Sequence, residues 1–261
     1  MTVRSTHPAE NDQPARIRLL GGEVDMVTPA AVIDFTGARI RAGTGGVVAN
    51  HNLHSLYWLR REPEMADFYG MADLIEIDSR PLIAWGRRLG HPVGVEHRAT
   101  YLDWRDDFWR AAQAGRWRVF QLGGAPGVAD RAADALRQNW PGVEIGVQHG
   151  YFDLDSPSEA AAVVETIRDW RPDVLFVGMG MPRQERWVAR YRGALPPCVI
   201  FTVGAAFDYE AGVTPTPPRW SGRLGVEWLF RFAAEPTRLF TRYFIEPWSL
   251  IAPALADLRG R

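Results

Sequence analysis

The sequence predicts an α/β fold: a mostly parallel sheet flanked by helices, followed by a C-terminal helical appendage. Short apolar runs such as "RWRVFQLGG" and "PDVLFVGMG" alternate with helical stretches such as "SPSEAAAVVETIRDW". That alternation implies right-handed crossovers and a parallel sheet. Several of the runs end on glycine or aspartate, where a parallel sheet binds its ligands. At "GVTPTPPRW" the character changes. Pro215, Pro217 and Pro218 make a stiff, extended connector, and aromatic residues interleaved with arginines follow it.

Residues 1–16 are polar and read as a disordered tail, 17–217 as the core and 218–261 as the appendage. The alternation begins in "RIRLLGGEVDMVTPAAVIDFTGARI". "GGVVANHNLHSLYWLRREPEM" reads as a strand, a polar turn and a helix with Leu56, Leu59 and Arg60 at helical spacing. "ADLIEIDS" is a strand ending in Asp78, and "PLIAWGRRLG" a helix stopped by Gly90. After "YLDWRDDFWRAAQAG" come the strand "RWRVFQLGG", a helix beginning near Pro126, and the strand "VEIGVQHGYF". The helix "SPSEAAAVVETIRDW", the strand "PDVLFVGMG", the helix "PRQERWVARYRGAL" and a last strand "CVIFTVGAAFD" complete the core. Pro182 suits the first turn of its helix.

The chain of 261 residues, 46% hydrophobic and 11% aromatic, can bury a sizeable core. A formal net charge of −1 gives no global attraction to nucleic acid. All 30 basic residues are arginine, so a basic contact to phosphate is a planar guanidinium, able to bind through two hydrogen bonds. Cys198 is the single cysteine, excludes an intramolecular disulfide and reads as a buried strand residue. The N-terminus lacks the apolar segment of a signal peptide, and no run reaches the roughly 18–20 apolar residues of a membrane span. A cytoplasmic protein is expected, with a membrane face left open.

The candidate loops are Asp78, Gly123–Gly124, Gly150–Tyr151, Gly178–Gly180, and Gly204 with Asp208. Glycine lets backbone N–H groups approach a phosphate, and a helix N-terminus adds partial positive charge. "GGAPGV" and "GMGMPR" miss the dinucleotide spacing G-x-G-x-x-G, which weighs against a nicotinamide cofactor. "DLD" at Asp153–Asp155 invites a metal site. The following "SPSE" reads instead as a capping box, with Ser156 as N-cap and Glu159 reaching back, so no metal site is expected. No serine-hydrolase, zinc-protease or P-loop motif is present, and the six histidines show no ligand spacing.

Taken together, "NHNLHSLYWLRREPE", "ADLIEIDS", "RATYLDW", "VFQLGGAPGVADRAADAL", "HGYF", "PDVLFVGMGMPRQERWV", "VGAAFDYEAGVTPTPPRW" and "LGVEWLFRFAAEPTRLFTRY" resemble, in order, the WecG/TagA/CpsF family of bacterial glycosyltransferases, over roughly residues 17 to 248. The resemblance implies a Rossmann-like core whose appendage brings arginines to the active site and favours the inner face of the cytoplasmic membrane. It implies an inverting transfer of a sugar from a UDP-sugar to a lipid-diphosphate-linked glycan in cell-surface polymer synthesis, with no cofactor and no metal. Homo-oligomer formation is left open.

Carried over residue by residue, the resemblance makes Asp78 the general base, with Asn50 beside it. Arg231 and Arg238 become the cations for the leaving diphosphate. Donor contacts fall to Asn52, Asp103, Gly123, Gly124, Tyr151, Gly178, Gly180, Gln184, Glu185, Phe207 and Asp208. Bland readings stand beside these. Asp78 and Asp103 suit helix N-caps, and the arginines suit a solvated or headgroup-facing surface. Three positions depart from the family pattern: Asn50 stands in place of Thr, Ser79 in place of Gly, and Tyr101 in place of Gly. N-acetylmannosamine, another hexose or a uronic acid all remain open as the donor sugar. The alternatives to a transferase are a non-catalytic nucleotide-sugar-binding module and an NAD-linked oxidoreductase.

Overall fold

The computed structural model describes residues 14–216, Ser221 and 226–260. Its first two strands, β1 (Arg16–Leu19) and β2 (Gly22–Asp25), form an antiparallel hairpin apart from the main sheet. Leu20 and Gly21 turn the hairpin with φ of 54° and 86°. Asp25 secures it by accepting from the Arg16 guanidinium at 2.8 and 2.9 Å and from the Ile75 amide at 2.7 Å. β1 thus starts at Arg16, one residue inside the expected tail.

The main sheet has six strands: β3 (Gly46–His51), β4 (Leu74–Ile77), β5 (Arg118–Gly123), β6 (Glu144–Gln148), β7 (Val174–Gly178) and β8 (Val199–Thr202). Their order is β4-β3-β8-β7-β5-β6, and every neighbouring pair is parallel. A strand covered on both faces reads as a continuous apolar run, which is why "VLFVG" and "VIFT" lack polar alternation. Period-two geometry divides each run between two cores. Leu175 and Val177 face one with Phe68 and Trp187, while Val174 and Phe176 face the other with Trp104, Phe108 and Phe201.

Helices α1 (Pro29–Arg41), α2 (Leu53–Leu59), α3 (Pro63–Gly70), α4 (Arg80–Arg88), α5 (Tyr101–Gly115), α6 (Val128–Asn139), α7 (Pro157–Trp170), α8 (Arg183–Tyr191) and α9 (Ala206–Glu210) cover the sheet. Several boundaries differ from the sequence reading. The helix after Asn52 stops at Leu59, and Pro63 starts a second one, as proline suits a first turn. The α6 helix begins at Val128 because Gly127, with φ of 78°, turns the chain first. The last strand stops at Thr202, so Phe207 and Asp208 lie on α9. Pro182 sits at the cap position before α8, one residue outside it, after a cis Met181–Pro182 bond. Glu159 reaches back to the Asp153 amide at 2.8 Å instead of to Ser156, although Ser156 is the N-cap.

The appendage holds α10 (Glu227–Ala234), α11 (Pro236–Phe240), a π-helical turn at Thr241–Ile245, a 3-10 turn at Glu246–Leu250 and α12 (Ile251–Arg259). Leu250 is buried in the same core as Phe68. Asp257 accepts from the Leu20 amide and the Trp85 indole, both at 2.8 Å, and His54 pairs with Glu246 at 2.5 Å. Pro217, Pro218, Arg219, Trp220 and Arg223 lie outside the described residues.

Candidate active site

The site is built where β3, β4 and β8 end. Strand β3 delivers Asn50, His51 and Asn52. Asn52 caps α2, its side-chain oxygen accepting from the amides of His54 and Ser55 at 3.0 Å. That fixes its NH2 group, which donates to Asp78 Oδ2 at 2.8 Å. A capping bond at the end of one strand thereby orients the carboxylate at the end of the next. Asn50 donates to the Thr202 carbonyl at 2.7 Å, and its own carbonyl accepts from Tyr69 at 2.8 Å. His51 is fully buried and stacked on Tyr69, and burial pushes its pKa down to about 3, so it is a neutral packing group.

Two cavities meet at Asp78. The first, about 170 Å³, lies over the strand ends and is lined by Asn50, Glu76, Tyr101, Gly180, Gln184 and Thr202, among others. The second, about 290 Å³, lies between core and appendage, with Ser79, Arg80, Arg98, Trp228, Tyr243 and Phe244 in its wall. Asn52, His54, Asp78, Arg231 and Arg242 line both, and Asp78 is the one carboxylate among those five. Arg242 is held below the usual arginine range by burial and by Arg231 beside it, which primes the pair for an anion.

The other sequence candidates divide. Gln184 lines the first cavity, and its side-chain oxygen accepts from the amides of Gly180 and Gly204 at 3.2 Å, clamping two glycine turns together. Glu185 lies behind it, fully buried, accepting from the Gln184 side-chain NH2 group at 2.8 Å. Asp103 lines neither cavity; it accepts from Thr100 at 2.8 Å and pairs with Arg98 at 3.0 Å. The N-cap position of α5 belongs to Thr100, and that of α4 to Ser79, not to the two aspartates.

Gly123, Gly124 and Gly178 line neither cavity and instead bring strand ends together. At Gly123 (φ 151°) a Cβ would stand 2.2 Å from the Gly178 carbonyl oxygen, which accepts from the Gly124 amide at 3.1 Å. Phe207 is core, its ring against Gly178. Asp208 uses its carbonyl to receive the amides of Val213 and Thr214. Tyr151 is 70% exposed. The side chain of Arg238 lies outside the described residues.

Sequence reasoning missed Arg242, His54 and Glu76. Arg242 was one of seven appendage arginines with no spacing to single it out. His54 and Glu76 become visible only when the strand ends are aligned. In the "DLD" loop, Asp153 accepts from the Asp155 amide at 2.9 Å, and Asp155 pairs with Arg190 at 2.7 Å. Among the described residues no cluster of three or more His, Cys, Asp or Glu could hold a metal ion.

The model of the WecG/TagA/CpsF glycosyl transferase family matches residues 17–261. The chain belongs to this family. It is similar to the N-acetylglucosaminyldiphosphoundecaprenol N-acetyl-beta-D-mannosaminyltransferase of Staphylococcus aureus strain NCTC 8325 / PS 47, being 26% identical over 232 residues, 85% of this chain and 86% of the relative. The counterpart from strain MRSA252 gives the same figures.

Proposed function

We propose that this transferase moves a sugar from a UDP-sugar to a lipid-diphosphate-linked glycan, with Asp78 as general base and inversion at the anomeric carbon. The observation that carries the proposal is that Asp78 is the one carboxylate lining both cavities. The donor sugar is assigned to the cavity over the strand ends and the acceptor to the one beside the appendage. The acceptor class follows the relatives, whose names give an acceptor sugar on diphosphoundecaprenol.

The acceptor hydroxyl loses its proton to the Asp78 carboxylate as its oxygen bonds to the anomeric carbon. The bond from that carbon to the phosphate oxygen breaks, and its electron pair leaves with UDP. Attack from the acceptor side and departure on the donor side invert the centre. Asn52 holds Asp78 with one lone pair engaged and keeps it aimed at the junction. Arg231 and Arg242 line both cavities and supply fixed positive charge to the departing diphosphate. That places the electrostatic work on guanidinium groups, and transfer is expected to survive chelation by EDTA.

The test incubates the protein with UDP-N-acetylmannosamine and N-acetylglucosaminyl-diphosphoundecaprenol and reads the linkage of the product by NMR. A product of opposite anomeric configuration to the donor is expected. Retention of configuration, or stabilisation of the protein by NAD and not by UDP, would overturn the reading.

A further inference from the structure

A row of polar side chains from three neighbouring strands lies under the cavity assigned to the donor sugar. Thr202 ends β8, Asn50 stands near the end of β3, and Glu76 is the register partner of Asn50 on β4. All three line the cavity. Thr202 Oγ1 is buried without a hydrogen-bond partner. Glu76 is 3% exposed, and the Trp104 indole donates to its Oε1 at 2.7 Å. A buried polar atom is costly to leave without a partner. The unpartnered Thr202 hydroxyl beside the buried Glu76 carboxyl in one cavity floor points to a ligand that bonds them.

Glu76 also lies at the right distance from the chemistry. Residues two apart on a strand share a face and are separated by about 6.6 Å, a span that one pyranose ring bridges. Glu76 therefore shares its face with Asp78, where the anomeric carbon must sit. The charged groups acting on Glu76 are the carboxylates of Asp78 and Asp103, after burial itself, and all three push its pKa well above the usual carboxylate range. Burial thus favours the protonated carboxyl, which can both donate and accept a hydrogen bond.

We propose that Glu76 is a specificity-determining residue for the transferred sugar, hydrogen-bonding a hydroxyl or amide group of an uncharged hexose and rejecting a uronate. The proposal rests on the UDP-sugar reading above. A sugar carboxylate would be brought up to the Asp78 carboxylate, and among the described residues the arginines lining this cavity are Arg231 and Arg242. Both come from the appendage and are the groups assigned above to the diphosphate. Tyr101, held by a hydrogen bond to Glu210 at 2.6 Å, narrows the same wall and limits how far a misfit sugar can shift.

The test measures kcat/KM for UDP-N-acetylmannosamine, UDP-glucose and UDP-glucuronate with wild type, E76Q and E76M, alongside UDP affinity by calorimetry and folding by circular dichroism. Wild type is expected to prefer the uncharged donors over UDP-glucuronate by at least ~100-fold. E76Q, which keeps a donor and an acceptor, should stay within ~10-fold of wild type on the preferred donor. E76M should lose ~100-fold there while UDP affinity is unchanged, because the sugar and not the nucleotide loses its partner. E76M matching wild type in rate and preference would overturn the proposal. If E76M does not fold, wild type decides: UDP-glucuronate used as well as the best donor would overturn it. A wild type that does not bind UDP contradicts the parent reading instead, and the calorimetry tells the two failures apart.

Discussion

At Glu185 the chain buries a carboxyl completely, bonds one oxygen to the Gln184 side-chain NH2 group and leaves the other without a partner. Burial pushes its pKa up from 4.5 to about 7. The folded state therefore keeps a proton that the unfolded chain releases at lower pH. Stability from the protonated form is complete below about pH 4.5 and is lost as the pH rises to about 7. E185Q is expected to raise the melting temperature at pH 8 and to leave it nearly unchanged at pH 4.5; equal shifts at both would contradict the assignment. Arg242 is assigned to the reaction instead. Arg242→Ala is expected to lower kcat by roughly 100-fold with the fold intact, and Arg242→Lys to recover only part of it. A kcat within twofold of wild type would remove Arg242 from the diphosphate site. The place of Asp78 and Gln184 at cavities over the sheet was legible in the sequence, Asp78 because it ends a strand and Gln184 because it follows a glycine turn into a helix. Arg242 was not, because only the docking of the appendage selects it from its neighbouring arginines.

The strand-and-helix alternation was legible at the scale of elements, since strands such as β7 and β8 are fully buried apolar runs separated by helical stretches. What escaped was local. The β1–β2 hairpin hides in a stretch that reads as the start of the alternation, and α9 begins where "GAAFD" continues an apolar run without a proline to mark the break. The glycine loops read as phosphate cradles, and at Gly123 and Gly178 glycine is also required by the close approach of strand ends. Gly123→Ala would force a Cβ against the Gly178 carbonyl oxygen at a positive φ, and is expected to destabilise the fold by roughly 2 kcal/mol or more. Chemical denaturation measures this, and an unchanged midpoint would show that β5 and β7 tolerate separation at their ends. The same physics places Gly123, Gly124 and Tyr151 at the far side of the sheet from Asp78.

For the whole molecule, the decisive relation is between core and appendage. The appendage closes the second cavity and leaves an apolar surface outside, with Phe244, Ile245, Trp248, Ile251 and Leu255 each about half exposed or more. No helix among the described residues is long and apolar enough to cross a membrane. A surface of this kind suits docking on the membrane that carries a lipid-linked acceptor. W248S combined with I251S is expected to weaken binding to anionic vesicles at least tenfold, since burying each such side chain is worth about 1.5–3 kcal/mol. Transfer to a short-chain, water-soluble acceptor should be unaffected; co-sedimentation equal to wild type would refute the docking face. The central claim is that Asp78, at the meeting point of the two cavities, takes the acceptor's proton. D78N tests it most directly, because the amide keeps the size of the carboxyl and removes the base. UDP should bind D78N with wild-type affinity by calorimetry while sugar transfer falls by at least ~1,000-fold. Transfer within tenfold of wild type, in a variant that binds UDP, would contradict it.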